Sequence, residues 1–206
     1  MISKSESISI SQASLADLER NLGSLSSQYM RWSVELPLNH EKQTVWARLY
    51  SAANTLRQAV REGVVENAIF EIGSNLIGCE QIALVVIPKK QERVDFIGSA
   101  DFDPRWLDTL RRNAKRIIEE APADSIFIET ADNDRSFLAS LGISALIPFR
   151  LDSTTKGAIV FFNLLPQRKG LDAVDRELLQ LLYAYTGPCL AASKTKHQKT
   201  PGWVQL

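Results

Sequence analysis

Apolar residues recur at helical spacing through the first third of the chain. From Leu15 they are separated alternately by three and four positions, which is the seam of a coiled coil or a helical hairpin. The residues of this seam are Leu15, Leu18, Leu22, Leu25, Tyr29 and Trp32. Leu36-Pro37 predicts the end of the helix, because a residue that precedes proline avoids the α region. A second repeat from Val45 to Ala59 predicts another helix over about 41–62.

After Gly63 the pattern predicts a helix over 64–77 and then a series of strands. Ile82–Ile87 is apolar at every position, which is typical of a central strand. The predicted strands are 82–87, 93–99, 125–129, 144–151 and 157–165. A polar turn over 152–156 joins the last two strands into a hairpin.

Three more helices complete the predicted order. Asp103-Pro104 is a favoured helix start, with Asp as N-cap and Pro in the first turn. A short helix is expected over 136–141 and a long one over 171–193. Strands that follow one another in hairpins pair antiparallel. The expected fold is therefore α+β, with a mostly antiparallel sheet flanked by helices and an N-terminal helical extension.

Composition narrows the class of function. The 206 residues are 45% apolar and 23% charged, as in an ordinary soluble globular protein. Lys+Arg and Asp+Glu are both 24, and this balance argues against a dedicated nucleic-acid binder. No apolar stretch approaches the ~20 residues of a membrane span. The Ser-rich start lacks the apolar run of a secretory signal, so we expect a cytoplasmic protein.

Few residues are suited to catalysis or metal binding. The two histidines, His40 and His197, lie near a helix start and in the tail. The two cysteines, Cys79 and Cys189, have no close spacing and read as reduced, buried thiols. No HExxH, GxSxG, CxxC or phosphate-binding glycine loop occurs. We expect no catalytic residue, no metal, no cofactor and no enzyme activity.

One stretch resembles a known family. Leu146-Ile147-Pro148-Phe149-Arg150 is followed by a turn and by Lys156-Gly157-Ala158-Ile159-Val160. The chain continues with Leu171-Asp172-Ala173-Val174-Asp175 and an apolar helix. This order is similar to the GAF domain family, and the resemblance covers about 64–193. It implies a GAF-like domain at 63–193. The sequence pattern outside it predicts a disordered start at 1–12, a helical extension at 13–62 that we expect to dimerise, and a flexible tail at 194–206.

The resemblance implies a small-molecule pocket on the sheet. Its expected lining residues are Phe96, Gly98, Trp106, Ile128, Phe149 and Phe162, with Glu129, Arg135 and Arg150 as polar groups. The alternative is that these aromatic side chains simply fill the core. GAF members that reduce sulfoxides or bind bilins use pocket cysteines, and none occurs between Glu80 and Pro188. The Asn-Lys-Phe-Asp-Glu signature of the cyclic-nucleotide members is also absent.

The amphipathic N-terminal helices suggest an interaction with another chain. The seam and the repeat from Val45 to Ala59 could form a helical hairpin. Either this hairpin folds back on the core of its own chain as a monomer, or two chains pack as a four-helix bundle with the last helix, and we expect this homodimer. A basic cluster at Arg111, Arg112, Lys115 and Arg116 fits a solvated helix face better than a docking site for an acidic partner. The predicted function is non-catalytic signalling by ligand sensing or by docking of a protein partner. The alternatives are a structural scaffold with a closed pocket and a small-molecule enzyme.

Overall fold

The helices begin and end close to where the apolar repeats place them. The computed structural model describes residues 15–35, 40–87, 94–100, 102–122, 125–130, 136–165, 167–168, 170–196 and 204–205. The helices are α1 (Leu15–Glu35), α2 (His40–Glu62), α3 (Val65–Glu71), α4 (Pro104–Glu120), α5 (Phe137–Ser140) and α6 (Ala173–Lys196). A π-helical turn, Ile72–Ile77, continues α3. The six predicted helices are confirmed, and the third changes to the wider π geometry halfway along.

The strands form an antiparallel sheet. They are β1 (Ile82–Ile87), β2 (Asp95–Gly98), β3 (Phe127–Ile128), β4 (Ile143–Arg150), β5 (Lys156–Phe162) and β6 (Val204–Gln205). In the described residues the sheet order is β3-β4-β5-β1-β2-β6. Every neighbouring pair is antiparallel. The fold is therefore α+β, as predicted, and β1 occupies the central position that its apolar sequence indicated.

Contacts divide the chain into two compact units. The helical unit comprises Met1–Ile72 and Leu171–Gln198, and the sheet unit comprises Gly73–Gly170 and Lys199–Leu206. The last helix, α6, is thus grouped with α1, α2 and α3. The resemblance-based division had placed the same helix with 63–193.

In the helical unit α1 and α2 pack as an antiparallel hairpin. Leu18 and Leu22 of α1 and Leu56 of α2 are fully buried. An ion pair joins Glu19 of α1 to Arg61 of α2 at 3.2 Å. The spacing of three and four positions thus produces one apolar face on α1, which α2 covers.

The start of α6 is fixed by two aspartates and an arginine. The Asp172 carboxylate accepts the Asp175 N–H, and the Asp175 carboxylate accepts the Asp172 N–H, both at 2.8 Å. Such reciprocal bonds satisfy donors that a helix start leaves free. Arg48 of α2 donates to Asp175 at 2.9 Å, and Asp175 is fully buried. The buried carboxylate therefore has both a charge partner and a backbone donor.

In the sheet unit α4 packs on one face of the sheet. The core on this face contains Leu110, Ala114 and Ile117 of α4. The strand residues of the same core are Ala83, Val85, Phe96, Ile143, Leu146, Ala158, Val160 and Phe162. Because side chains alternate along a strand, the residues between them point to the opposite face.

The turn between β4 and β5 is held by one carboxylate. Asp152 accepts the backbone N–H groups of Thr154 and Thr155 at 2.6 and 2.7 Å. It also accepts both threonine hydroxyls. These hydrogen bonds, with that of the Thr154 hydroxyl first among them, lower the pKa of Asp152 well below its usual value. The predicted turn is confirmed, except that Lys156, which was expected in the turn, begins β5.

The C-terminal tail was expected to be flexible, and the structure differs at both of its ends. Residues 194–196 continue α6. Val204–Gln205 forms β6 and pairs with β2, with Phe96 opposite Val204 and Asp95 opposite Gln205. An edge strand offers unpaired backbone groups, and β6 satisfies part of that edge.

Candidate ligand site

Four aromatic rings meet on the face of the sheet that carries α4. We call Phe96, Phe102, Trp106 and Phe162 the aromatic cluster. Trp106 stacks on Phe162 with ring centroids 4.7 Å apart and planes 20° apart. Phe102 is edge-on to Phe162 at 6.0 Å and to Phe96 at 5.3 Å. Phe162 is fully buried and Phe96 nearly so, whereas Phe102 and Trp106 are partly exposed.

Two glycines let these rings lie against the backbone. A Cβ atom on Gly98 would be 2.8 Å from Cγ of Phe102. A Cβ atom on Gly142 would be 2.9 Å from Cη2 of Trp106. Gly142 also has a φ of +73°, a conformation that other residues rarely adopt. The cluster therefore depends on glycine at both positions.

The start of α4 positions Trp106. Asp103 is the N-cap, and its carboxylate accepts the Arg105 N–H at 2.8 Å. The Arg105 guanidinium bonds the same carboxylate at 2.6 Å and lowers the pKa of Asp103. The Asp103 N–H donates to Oε1 of Gln81, next to β1, at 2.8 Å. These bonds tie the first turn of α4 to the sheet.

Of the six predicted lining residues, the structure brings four together. Phe96, Gly98, Trp106 and Phe162 belong to the cluster or contact it. Phe149 lies opposite Gly157, and Ile128 lies opposite Ala145, on the other face of the sheet. The alternation of side chains along β3 and β4 separates these two residues from the cluster.

Gly157 follows the turn between β4 and β5 and is needed for space. In the structure a Cβ atom there would be 2.5 Å from Cζ of Phe149 and 2.7 Å from the Val85 oxygen. The glycine makes room for the Phe149 ring and for the neighbouring backbone.

Phe102 was missed by the sequence reasoning. It lies directly before the N-cap Asp103, where an apolar residue often packs against the first turns of the helix. That position was the available signal. Among the predicted polar groups, Glu129 and Arg150 are exposed, and Arg135 lies outside the described residues.

The two thiols are poor nucleophiles. Burial raises the pKa of Cys79 to about 12, with the neighbouring Glu80 adding to the rise and a hydrogen bond involving the Gln81 backbone opposing it. The Cys79 thiol donates to the Phe162 carbonyl at 2.7 Å. Burial alone raises the pKa of Cys189 to about 12. Since the thiolate is the reactive form, neither group is poised to react at neutral pH.

Within the described ranges, no three His, Cys, Asp or Glu side chains come close enough together to hold a metal ion. The side chains of His40 and His197 lie outside that description. In the same part of the chain, no helix has the length and apolar character needed to cross a membrane.

The basic cluster on α4 is largely engaged locally. Arg111 pairs with Asp108 at 3.5 Å, and Arg116 pairs with Glu120 at 2.7 Å. The Arg116 guanidinium also lies 3.7 Å from the ring centroid of Phe137, a cation–π contact. These contacts agree with the interpretation of a solvated helix face.

The predicted dimer seam is used within the chain. Leu18 and Leu22 are fully buried and Tyr29 is 8% exposed, while Leu15, Leu25 and Trp32 are partly exposed. Tyr29 and Trp32 lie close to Trp46 of α2, at centroid distances of 5.8 and 4.7 Å. Burial raises the pKa of Tyr29, and nearby Glu177 adds to the rise. This is the packing of a helical hairpin.

Comparison with known proteins identifies no family for this chain. No protein-family model matches the chain. No curated protein matches it either. A solved structure, that of the VqsR LBD domain from Pseudomonas aeruginosa, is similar over 71% of this chain and 95% of that one, with 11% identity and a TM-score of 0.41. A likeness of that size carries no argument, so the functional proposal depends on the geometry of this chain.

Proposed function

We propose that this chain is a non-catalytic regulatory module with a GAF-like sheet domain, which acts in signalling by binding a small molecule or docking a protein. The aromatic cluster is the observation that carries the proposal. Phe102 and Trp106 are partly exposed beside Gly98 and Gly142, so part of each ring is accessible to a ligand. The described thiols are too buried to make this a reactive site.

The chemistry of the cluster favours a planar, mostly apolar ligand. An aromatic pair in stacked or edge-on geometry contributes about 0.5–1.5 kcal/mol beyond its buried area. One polar group lies beside the rings: Oδ1 of exposed Asn163 would be 3.6 Å from a Cβ atom at Gly142. A flat ligand with one hydrogen-bond donor at its edge matches this arrangement.

The proposal includes a homodimer and a signalling partner. Leu18 and Leu22 are covered by the chain itself, so the interface has to use other surfaces. Among the described residues of α1, the large apolar side chains exposed to solvent are Met30, at 54%, and Val34, at 76%. They are four positions apart and share one helix face.

A structural scaffold is the second candidate, and one observation favours it. Phe162, at the centre of the cluster, is fully buried and stacked by Trp106, as in a filled core. If the scaffold reading holds, the rings serve packing alone. An enzyme has less support, because the described cysteines are protonated at neutral pH.

Native mass spectrometry of the full chain, purified gently from lysate, separates the two candidates. A sensor should carry an additional mass that is lost on denaturation. Trp106→Ala should abolish that mass. Trp46→Ala, which removes a half-buried tryptophan of the helical unit, should retain it and is the matched control.

If neither the wild type nor either variant carries an additional mass, the sensor hypothesis is contradicted and the structural scaffold is favoured. Retention of the mass by Trp106→Ala would place the ligand away from the aromatic cluster. Far-UV circular dichroism of each variant establishes that the fold is intact.

A further inference from the structure

Among the described residues, the outer edge of β2 is paired at two of its four positions. On its inner side β2 pairs with β1 along all four of its residues, Asp95–Gly98. On its outer side the described pairing is with β6, at Asp95 and Phe96. A strand edge presents backbone donors and acceptors that another extended segment can bind.

The register identifies which backbone groups face outward. The Ser99 N–H donates to the Ile82 carbonyl of β1 at 2.9 Å. Hydrogen-bonding residues alternate along an antiparallel strand, so Ile97 and Asp95 also turn toward β1. Phe96 and Gly98 therefore turn their N–H and C=O groups outward. Phe96 with Val204 is the hydrogen-bonded pair of the outer edge, and the backbone groups of Gln205 turn away from β2.

We propose that the outer edge of β2 is a strand-addition site, and that its partner is the C-terminal segment of a second copy of this chain. The chain's own segment occupies the site in the monomer, which establishes that this backbone fits the edge. The described pairing is two residues long, and a short pairing at a sheet edge opens more readily than the central strands. The same bonds can then form between two copies, and exchange of an identical segment is a low-cost route to a dimer.

This inference rests on the homodimer of the proposed function, and strand exchange requires no small molecule. It supplies an interface for a homodimer that does not use the buried leucines of α1. Its failure would leave the ligand site untouched, and loss of the ligand site would leave the edge intact.

A pair of proline variants in the full-length chain tests the register. Val204→Pro removes the N–H that faces the Phe96 carbonyl and should release the tail. Gln205→Pro removes an N–H that faces away from β2 and should leave the tail in place. The probe is a fluorescent synthetic peptide of residues 199–206. A tethered tail competes at about millimolar effective concentration, so Val204→Pro should bind the probe at least about tenfold more tightly than the wild type or Gln205→Pro.

Backbone methylation of the probe gives a second readout that does not depend on the variants. A peptide N-methylated at Val204 should lose binding, and one N-methylated at Gln205 should retain it. Light scattering should detect a concentration-dependent dimer for the wild type, and Val204→Pro should abolish it. Absence of saturable binding to Val204→Pro, equal binding of the two methylated peptides, or a dimer that survives Val204→Pro would overturn the proposal.

Discussion

The sheet unit and the helical unit both gather aromatic rings, but by different means. In the sheet unit Phe162 of β5 stacks with Trp106 of α4, and these residues are far apart in sequence. In the helical unit Tyr29, Trp32 and Trp46 come from the facing ends of two successive helices. The first arrangement requires α4 to pack on a distant strand of the sheet, whereas the second needs only one hairpin.

The units also differ in what they bury besides apolar groups. Among the described residues, the buried polar side chains of the helical unit are Ser26, Glu66, Asp175, Thr186 and Ser193. Those of the sheet unit are Ser99 and Ser144. A buried charge needs a partner, so the helical unit is sensitive to loss of polar contacts and the sheet unit to loss of volume.

The largest loss of stability is expected when the central ring of the aromatic cluster, Phe162, is removed. Phe162→Ala removes a fully buried side chain that contacts Trp106 and Phe102. The free energy of unfolding should fall by about 4 kcal/mol, since both transfer and cavity terms are lost. Urea unfolding followed by circular dichroism measures it. Phe102→Ala removes a partly exposed ring and should lower the free energy of unfolding by less than half as much. Equal losses for the two variants would contradict the conclusion that Phe162 is the central, most buried ring of the cluster.

The helical unit should respond most to the loss of a charge partner. Arg48→Met leaves the buried Asp175 carboxylate without its cation at 2.9 Å. Removing one partner of a buried pair costs about 3 kcal/mol or more, and the same urea titration applies. Arg48→Met combined with Asp175→Asn removes the stranded charge and should recover part of the loss. A double variant no more stable than Arg48→Met would mean that the charge is not what destabilises it.

Two glycine-to-alanine substitutions, one in each unit, should change the melting temperature in opposite directions. Gly23 lies inside α1, and a Cβ atom there would be 3.8 Å from Cδ of Arg57, an ordinary contact. Gly23→Ala should therefore raise the melting temperature and stabilise the chain by about 0.5–1 kcal/mol. Gly98→Ala should lower it, because the new Cβ would meet Phe102 at 2.8 Å. Destabilisation by both would show that α1 requires glycine for a reason other than space.

Local patterns predicted the elements well because their causes are local. The spacing of leucines in α1, the Asp103-Pro104 start of α4 and the apolar run of β1 each act within a few residues. The candidate site could be predicted only in part. Phe149 and Ile128 belong to the opposite face because pairing with β5 and β4 sets their direction, and sequence spacing does not contain that register. The return of Val204 to β2 is a long-range pairing of the same kind.

The thiols give the finest comparison, because each unit contains one of them. Burial raises the pKa of both Cys79 and Cys189 from 9.0 to about 12. Folding therefore favours the neutral thiol. The contribution of each buried thiol to the free energy of unfolding is fully present below pH 9 and is lost as the pH rises from about 9 to 12.

Below pH 9, reaction of either thiol with a disulfide reagent should require local opening of the unit that contains it. The Cys189→Ala variant keeps only Cys79, so its labelling reports the opening of the sheet unit. The Cys79→Ala variant keeps only Cys189 and reports the opening of the helical unit. Phe162→Ala should accelerate labelling of Cys79 more than that of Cys189, and Arg48→Met should do the reverse. Equal acceleration of both thiols by both variants would mean that the two units open as one.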